Sequence, residues 1–449
     1  MLATQFDNFE KGSLFRSQMN SLLGTGVFNA DGEMWKFHRS MTRPFFTRER
    51  ISDFDIYDRN CDISLTQAKH RLAEGHSIDF QDLVSRFTLD SATEFLFGKS
   101  VASLSAGIPY SPSSGKENAS SFTEHASNIF VTAFQEGQIL AMNRMGFGTE
   151  WPLAEFWKDN IAPLRKVMDG FTGPVLAAAL EKQEQDLKQE KDTVNDEDLT
   201  LLAHLVKHTQ DPKILKDELV NLLVAGRDTT MCLLTYSFYM LAEHPDVEKR
   251  LREEIFEKVG PTGRPTYDQM RDMKFMRAFL NEVLRLFPPV PADARTNNKA
   301  VVLPTTPTQP KPIYIPAWTT LVYSVLNKHR RTDLWGPDAM KFDPDRFLDE
   351  RLQRYLIPNP DIFCPFNAGP RICLGQQFAY HEATFYLVRL LQQFAGFSLD
   401  SSANAKPPAE WATSEGRKAI EKIHPCSHLT MYVKDGLWVR MKELDAMGI

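Results

Sequence analysis

The 449-residue sequence predicts a mainly helical fold with small β-sheets, and three observations carry that expectation. Apolar residues recur at helical spacing over most of the chain. The longest such pattern, residues 212–244, is apolar nearly all round from Leu219 through Leu241, so it is expected to be buried along its length. Strand-like alternation is confined to short segments. Residues 313–315 and 319–324 are flanked by proline, and residues 430–433 and 437–441 flank an Asp435-Gly436 pair that predicts a hairpin.

Taken in order, the first thirty residues show no steady periodicity. Asp31-Gly32-Glu33 then opens a helix carrying Trp35 and Arg39 on one face, since positions i and i+4 are neighbours. Two helical patterns fill residues 48–98. The second has a stripe of Phe80, Leu83, Val84, Phe87 and Leu89, read as core, and stops at Gly98. Residues 103–121 are rich in Ser, Gly and Pro and form a loop, whose Asn118-Ala119-Ser120 sequon is read as chance. Helices are expected again over 122–137, 153–170 and 174–190. Their aromatic residues, Phe130, Phe134, Trp151, Phe156 and Trp157, are assigned to packing ahead of any pocket roof. Residues 183–198 read as a solvated helix end and loop. A further helix spans 270–287, and Pro288-Pro289-Val290-Pro291 forces an extended path after it.

Composition narrows the function. A chain of this length with 42% hydrophobic residues can bury a large core, and a net charge of −6 supplies no basic excess for nucleic acid. Five cysteines, odd in number and irregularly spaced, suit a reducing compartment better than a disulfide framework, and no CxxC suggests zinc. No run of about 18 apolar residues is present, and the first residues have neither a basic start nor an apolar stretch. As written the chain is expected to be soluble and cytoplasmic.

Two stretches carry chemistry. In Phe366-Asn367-Ala368-Gly369-Pro370-Arg371-Ile372-Cys373-Leu374-Gly375, one cysteine stands just before a helical pattern starting near Gln376. Helix N-terminal N–H groups favour a thiolate, Gly369 and Gly375 let the backbone close around the sulfur, and Arg371 adds positive charge. A cysteine nucleophile would need a paired His base, and none of the 11 histidines stands in a recognisable pairing. In the long buried helix, Ala225-Gly226-Arg227-Asp228-Thr229-Thr230 replaces the expected Leu with Gly, charges and hydroxyls. Gly costs roughly 1 kcal/mol there, and Thr can bond back to the i−4 carbonyl and bend the helix. Such rule-breaking inside a consistent element marks function. Arg227 is expected to pair with an acid on a neighbouring loop. Glu282 and Arg285, at i,i+3, are by themselves worth about 0.2–0.5 kcal/mol.

The spacing of Phe366, Gly369, Arg371, Cys373 and Gly375 resembles the haem-thiolate loop of the cytochrome P450 family at every fixed position. Three other stretches resemble that family in order and spacing: Trp35 with Arg39, residues 225–230, and Glu282 with Arg285 and Arg346. The resemblance implies a single cytochrome P450 domain over 1–449, with haem b bound and Cys373 as the axial iron ligand. It implies that Trp35 and Arg39 hold one propionate and Arg295 a second. Asp228 and Thr229 would deliver protons to dioxygen, and Glu282, Arg285 and Arg346 would form a buried ion network, although Asp345 stands where the family has Glu. Leu222, Ala225, Val290 and Ala292 would line the substrate pocket, into which the terminal hairpin dips its turn.

The implied activity is insertion of one atom of dioxygen into a C–H bond of a hydrophobic small molecule. Electrons would come from a separate NADPH–cytochrome P450 reductase, and the protein would be a monomer without nucleic-acid partners. Within the family the wording of both motifs resembles fungal microsomal alkane and fatty-acid hydroxylases, which implies the cytosolic face of the endoplasmic reticulum membrane. The N-terminal anchor and first strands of such relatives are missing here, so an exposed sheet edge is expected. The alternative is a haem-binding protein without monooxygenase activity, either a truncated relic or a peroxide-driven isomerase.

Overall fold

A computed structural model describes residues 1–48, 50–52, 54–188, 200–305 and 309–444. Its helices are α1 Gly12–Leu23, α2 Gly32–Thr42, α3 Asp55–Ala73, α4 Phe80–Phe97, α5 Ser120–Thr123, α6 Ala126–Gly146, α7 Trp151–Ala154 and α8 Ala162–Lys188. They continue as α9 Leu201–His208, α10 Pro212–Leu223, α11 Thr229–Glu243, α12 Pro245–Lys258, α13 Tyr267–Asp272, α14 Lys274–Leu286, α15 Val325–His329, α16 Thr332–Trp335 and α17 Gln376–Gln393. The strands are β1 Phe9–Glu10, β2 Ile78–Asp79, β3 Ala292–Asn297, β4 Val301–Leu303, β5 Ile313–Ile315, β6 Thr320–Ser324, β7 Phe394–Leu399, β8 Pro425–Ser427, β9 Met431–Val433 and β10 Trp438–Glu443. Most of the solvated stretch expected at 183–198 lies outside the described residues.

The core is helical. Residues of α11 from Thr230 to Leu241 are buried, with α4, α14 and α17 packed around them through Phe87, Phe279 and Tyr386. A second cluster joins α1, α6, α8 and α10 through Leu22, Phe134, Met168 and Leu219. Between α10 and α11 the helix widens into a π segment, Val224–Asp228, which takes in Ala225, Gly226, Arg227 and Asp228 of the Ala225–Thr230 stretch. An extra residue per turn there breaks the regular hydrogen-bond ladder, a feature frequent at functional sites.

Three expectations are corrected. The break near residues 170–174 does not occur, because α8 runs through Pro174. Met168, Thr172 and Leu176 form one buried stripe across it, and that packing outweighs a cost of roughly 3 kcal/mol. Residues 430–441 do not make a hairpin. Asp435 and Gly436 do turn, with φ of 59° and 88°, but β9 pairs back with β8 while β10 pairs with β7 and β2. Period-2 alternation shows a strand without naming its partner. Here the Asp79 carboxylate accepts the Leu437 N–H at 2.9 Å and carries the chain away. Third, Phe130 and Phe134 are core, whereas Phe156 and Trp157 are 69% and 89% exposed.

The front of the chain is more ordered than its sequence suggests. Met19, Leu22 and Leu23 of α1 are buried, with Leu22 against Gly137 of α6. β1 joins the sheet ordered β1-β3-β6, pairing Phe9 with Asn297. β6 is an edge of that sheet, with Val322 exposed.

Candidate functional site

The Cys373 loop is shaped by backbone bonds. The Cys373 N–H donates to Phe366 O at 3.0 Å and the Ile372 N–H to Gly369 O at 3.0 Å, while the Phe366 ring packs 5.3 Å from Tyr380 on α17. Gly369 has a φ of +70°, and a Cβ there would strike the Leu2 carbonyl at 1.8 Å. The residue therefore makes room for the N-terminal segment rather than closing around the sulfur. Cys61, Cys232 and Cys364 are buried, whereas Cys373 is exposed. Its thiol is pushed up in pKa by the surrounding protein, with the Gly375 N–H and Arg39 pulling it back. The Gly375 N–H supplies the helix-terminal stabilisation expected of this loop, set against the desolvation that raises the thiol. The cation that opposes this shift is Arg39, not Arg371.

Around this loop lies a connected set of charges. Arg371 donates to Asp31 at 2.7 Å and Ala30 O at 3.0 Å, and its guanidinium lies 4.7 Å over the buried Trp35 ring. Burial brings its pKa down to about 10, against the pull of Asp31. Arg295, buried on β3, pairs with Asp293 at 2.7 Å. Asp293 also takes the Lys11 ammonium at 2.7 Å and the Tyr323 hydroxyl at 3.1 Å. Burial alone would raise its pKa, and Lys11 and Arg295 instead hold it well below the usual carboxylate range. Burial brings Lys11 down to about 8 although Asp293 opposes it. Arg39 is half-buried, and among the described residues its side chain meets no carboxylate.

Three cations, Lys11, Arg295 and Arg371, thus face two carboxylates, Asp31 and Asp293, and at the rim Arg16 and Glu10 cancel, while Arg39, with Arg43 near it, faces the Cys373 thiol. An accessible thiol beside surplus positive charge fits a group that carries one thiolate-binding metal and two carboxylates, as haem b does. Trp35 and Arg371 are brought together, whereas Trp35 and Arg39 share only their helix.

The π segment is held from two sides. Arg227 bonds Asp228, its own neighbour, and Ser85 on α4, and it lies 5.8 Å from the Phe134 ring. Among the described residues no acid from another loop pairs with it, so the expected partner is corrected. Gln138 on α6 donates to the other Asp228 oxygen at 2.7 Å. The Thr229 hydroxyl donates to Ala225 O at 2.7 Å, the back-bond expected of a helical Thr. Glu382 on α17 is fully buried without a hydrogen-bond partner in the described residues. Burial pushes its carboxyl well up, with the nearby Thr230 hydroxyl acting against the shift.

The ion network forms, unevenly. Glu282 and Arg285 are fully buried and bidentate at 2.6 and 2.7 Å, and Arg285 also bonds His329 O and Ala339 O. Arg346 is 3.5 Å from Glu282 and bonds instead to Asp338 and Trp335 O, both at 3.0 Å. Asp345 turns outward to Arg250. Burial brings His329 down to about 3, so its neutral Nε2 accepts the Cys364 N–H at 2.9 Å. That bond ties the network to the chain entering the Cys373 loop.

The cytochrome P450 family model matches residues 2–415. Cytochrome P450 52A13 of Debaryomyces hansenii is 36% identical over 98% of this chain and 79% of its own. Cytochrome P450 52A6 of Candida tropicalis is also 36% identical with the same coverage, and cytochrome P450 monooxygenase himC of Aspergillus japonicus is 34% identical over 98% of this chain and 72% of its own. The chain belongs to the cytochrome P450 family, an oxidoreductase family of monooxygenases that bind haem b through a cysteine thiolate.

Lys11, Asp31, Asp293, Gln138 and Glu382 were not found from sequence. Asp293, Gln138 and Glu382 lie on a strand or helix of ordinary pattern, Lys11 and Asp31 stand just ahead of α1 and α2, and only the fold brings each to the site. A buried charge at an apolar-periodic position, as Glu382 is, was the one available signal.

Proposed function

We propose that this protein hydroxylates an aliphatic substrate of alkane or fatty-acid type, using electrons from a separate NADPH-dependent reductase. The observation that carries the reading is the accessible Cys373 thiol beside the carboxylate-free Arg39. Haem b, when bound, supplies the activation of dioxygen, and a thiolate ligand donates electron density that favours O–O cleavage. Arg39, Arg371, Arg295 and Lys11 would receive its carboxylates, and Trp35 would pack beside them. The hydroxyl of Thr229 can hold a proton at Oγ1 once it leaves Ala225 O. Asp228, held on one oxygen by Arg227 and on the other by Gln138, keeps a second lone pair on each with which to take up and pass on a proton. Apolar Leu222 and Val224 exclude water beside them.

The aliphatic assignment rests on the wording of residues 225–230 and 366–375. Work at a membrane surface is part of the same reading. It is supported by exposed Phe147, Leu153, Phe156 and Trp157, while no described helix is long and apolar enough to cross a bilayer. The test is turnover of dodecane and of dodecanoic acid by haem-loaded protein with reductase and NADPH under ¹⁸O₂. One labelled oxygen per hydroxylated product is expected. Haem binding with no product from either would favour a haem-binding protein without this activity.

A further inference from the structure

Helix α9 turns Leu201, Leu202, Leu205 and Val206 into the core. His204 and His208 stand one turn apart along the flank of that face, His204 half-buried and His208 exposed. Among the described residues no other two histidines lie four apart on a helix. Positions i and i+4 are neighbours, and here the two rings already meet, with centroids 4.3 Å apart at 59°. The buried Phe45 ring lies 5.0 Å from His204 at 63°, so one side of that imidazole is set by the core.

Two histidines at this spacing are the arrangement by which one helix offers two nitrogens to one metal ion. A late first-row cation takes an imidazole nitrogen at about 2.0–2.1 Å, which places two ligating ring centres roughly 5 Å apart. The observed 4.3 Å is within a small side-chain adjustment of that separation. Coordination uses one nitrogen of each ring and leaves the other for a hydrogen bond. The pair also closes the last turn of α9, where the negative end of the helix dipole favours a cation, although Lys207 on the same turn adds a positive charge. Among the described residues no third His, Cys, Asp or Glu joins the two rings. Water would fill the remaining positions, so the ion would be exchangeable, unlike a structural zinc held by four protein ligands.

We propose that His204 and His208 form a binding site for one late first-row divalent metal ion, of which zinc is the probe, outside the charge set around Cys373. Imidazole suits such ions, whereas magnesium and calcium take oxygen ligands and are rejected.

The test is equilibrium dialysis of haem-loaded protein against zinc chloride, with magnesium chloride in parallel, for wild type, His204→Gln and His208→Gln. Glutamine keeps the helix, and far-ultraviolet circular dichroism checks that it does. Wild type is expected to bind one zinc ion that each variant binds more weakly by on the order of tenfold or more, because chelation by two rings is lost. Zinc should also raise the unfolding temperature of wild type and leave both variants unmoved, since only the folded helix sets the rings side by side. Equal zinc affinity in wild type and either variant would overturn the proposal, as would magnesium binding equally well or wild type taking up no zinc.

Discussion

Asp79 shows how single residues set the pH response of this fold. Burial pushes its carboxyl up to about 7, with Asp82 adding repulsion and three backbone N–H groups opposing. The neutral acid is therefore favoured in the folded state. Since the folded pKa lies above the unfolded one, the stability this group contributes is full below about pH 4 and is lost as pH rises through about 7. Asp79→Asn should remove that slope. Urea unfolding at pH 5 and pH 8 should show wild type losing on the order of 2–4 kcal/mol more than the variant between the two. Equal losses would mean that Asp79 is charged throughout. Arg39 is the second residue with a sharp consequence. Arg39→Met should speed haem transfer to an acceptor globin roughly tenfold with unchanged helical content, since one unpaired guanidinium awaits a carboxylate; an unchanged rate would remove Arg39 from the haem site.

At the scale of elements, the Glu282–Arg285 pair holds α14 to the segments around Ala339 and His329. Glu282→Ala strands a fully buried Arg285 and should cost roughly 3–5 kcal/mol by denaturant unfolding. A cost under about 1 kcal/mol would mean that the carbonyl bonds suffice. Gly369→Ala meets both a φ of +70° and the Leu2 carbonyl. It should destabilise the Cys373 loop, and deleting residues 1–4 should recover the steric part but not the backbone part, read as two separate shifts in unfolding temperature. Motifs with a fixed local spacing were legible in the sequence: the Cys373 turn, the break in the helix at 225–230 and the Glu282–Arg285 pair. The partner that each remaining charge or strand takes was not. Arg227 turned to its own neighbour, Arg295 to Asp293, Arg346 mainly to Asp338, and β10 to β7 in place of β9. No periodicity encodes these choices, because burial in the finished fold decides which opposite charge or strand, near or far in the chain, can be reached.

For the molecule as a whole, the fold builds two unlike environments. One is a cationic recess built from the front of the chain, β3 and the Cys373 loop. The other is the widened helix between α10 and α11, where buried Asp228 stands among apolar Leu222, Leu223 and Val224. The relatives named above cover nearly this whole chain. The central claim is that Cys373 sulfur binds haem iron. It is tested most directly by the absorbance of reduced, carbon monoxide-treated protein, wild type beside Cys373→Ser, each supplied with haem. Wild type should give the long-wavelength Soret band of a thiolate-ligated iron and the serine variant should not. The same band in both proteins, or a band of the histidine-ligated type in wild type, would contradict the account.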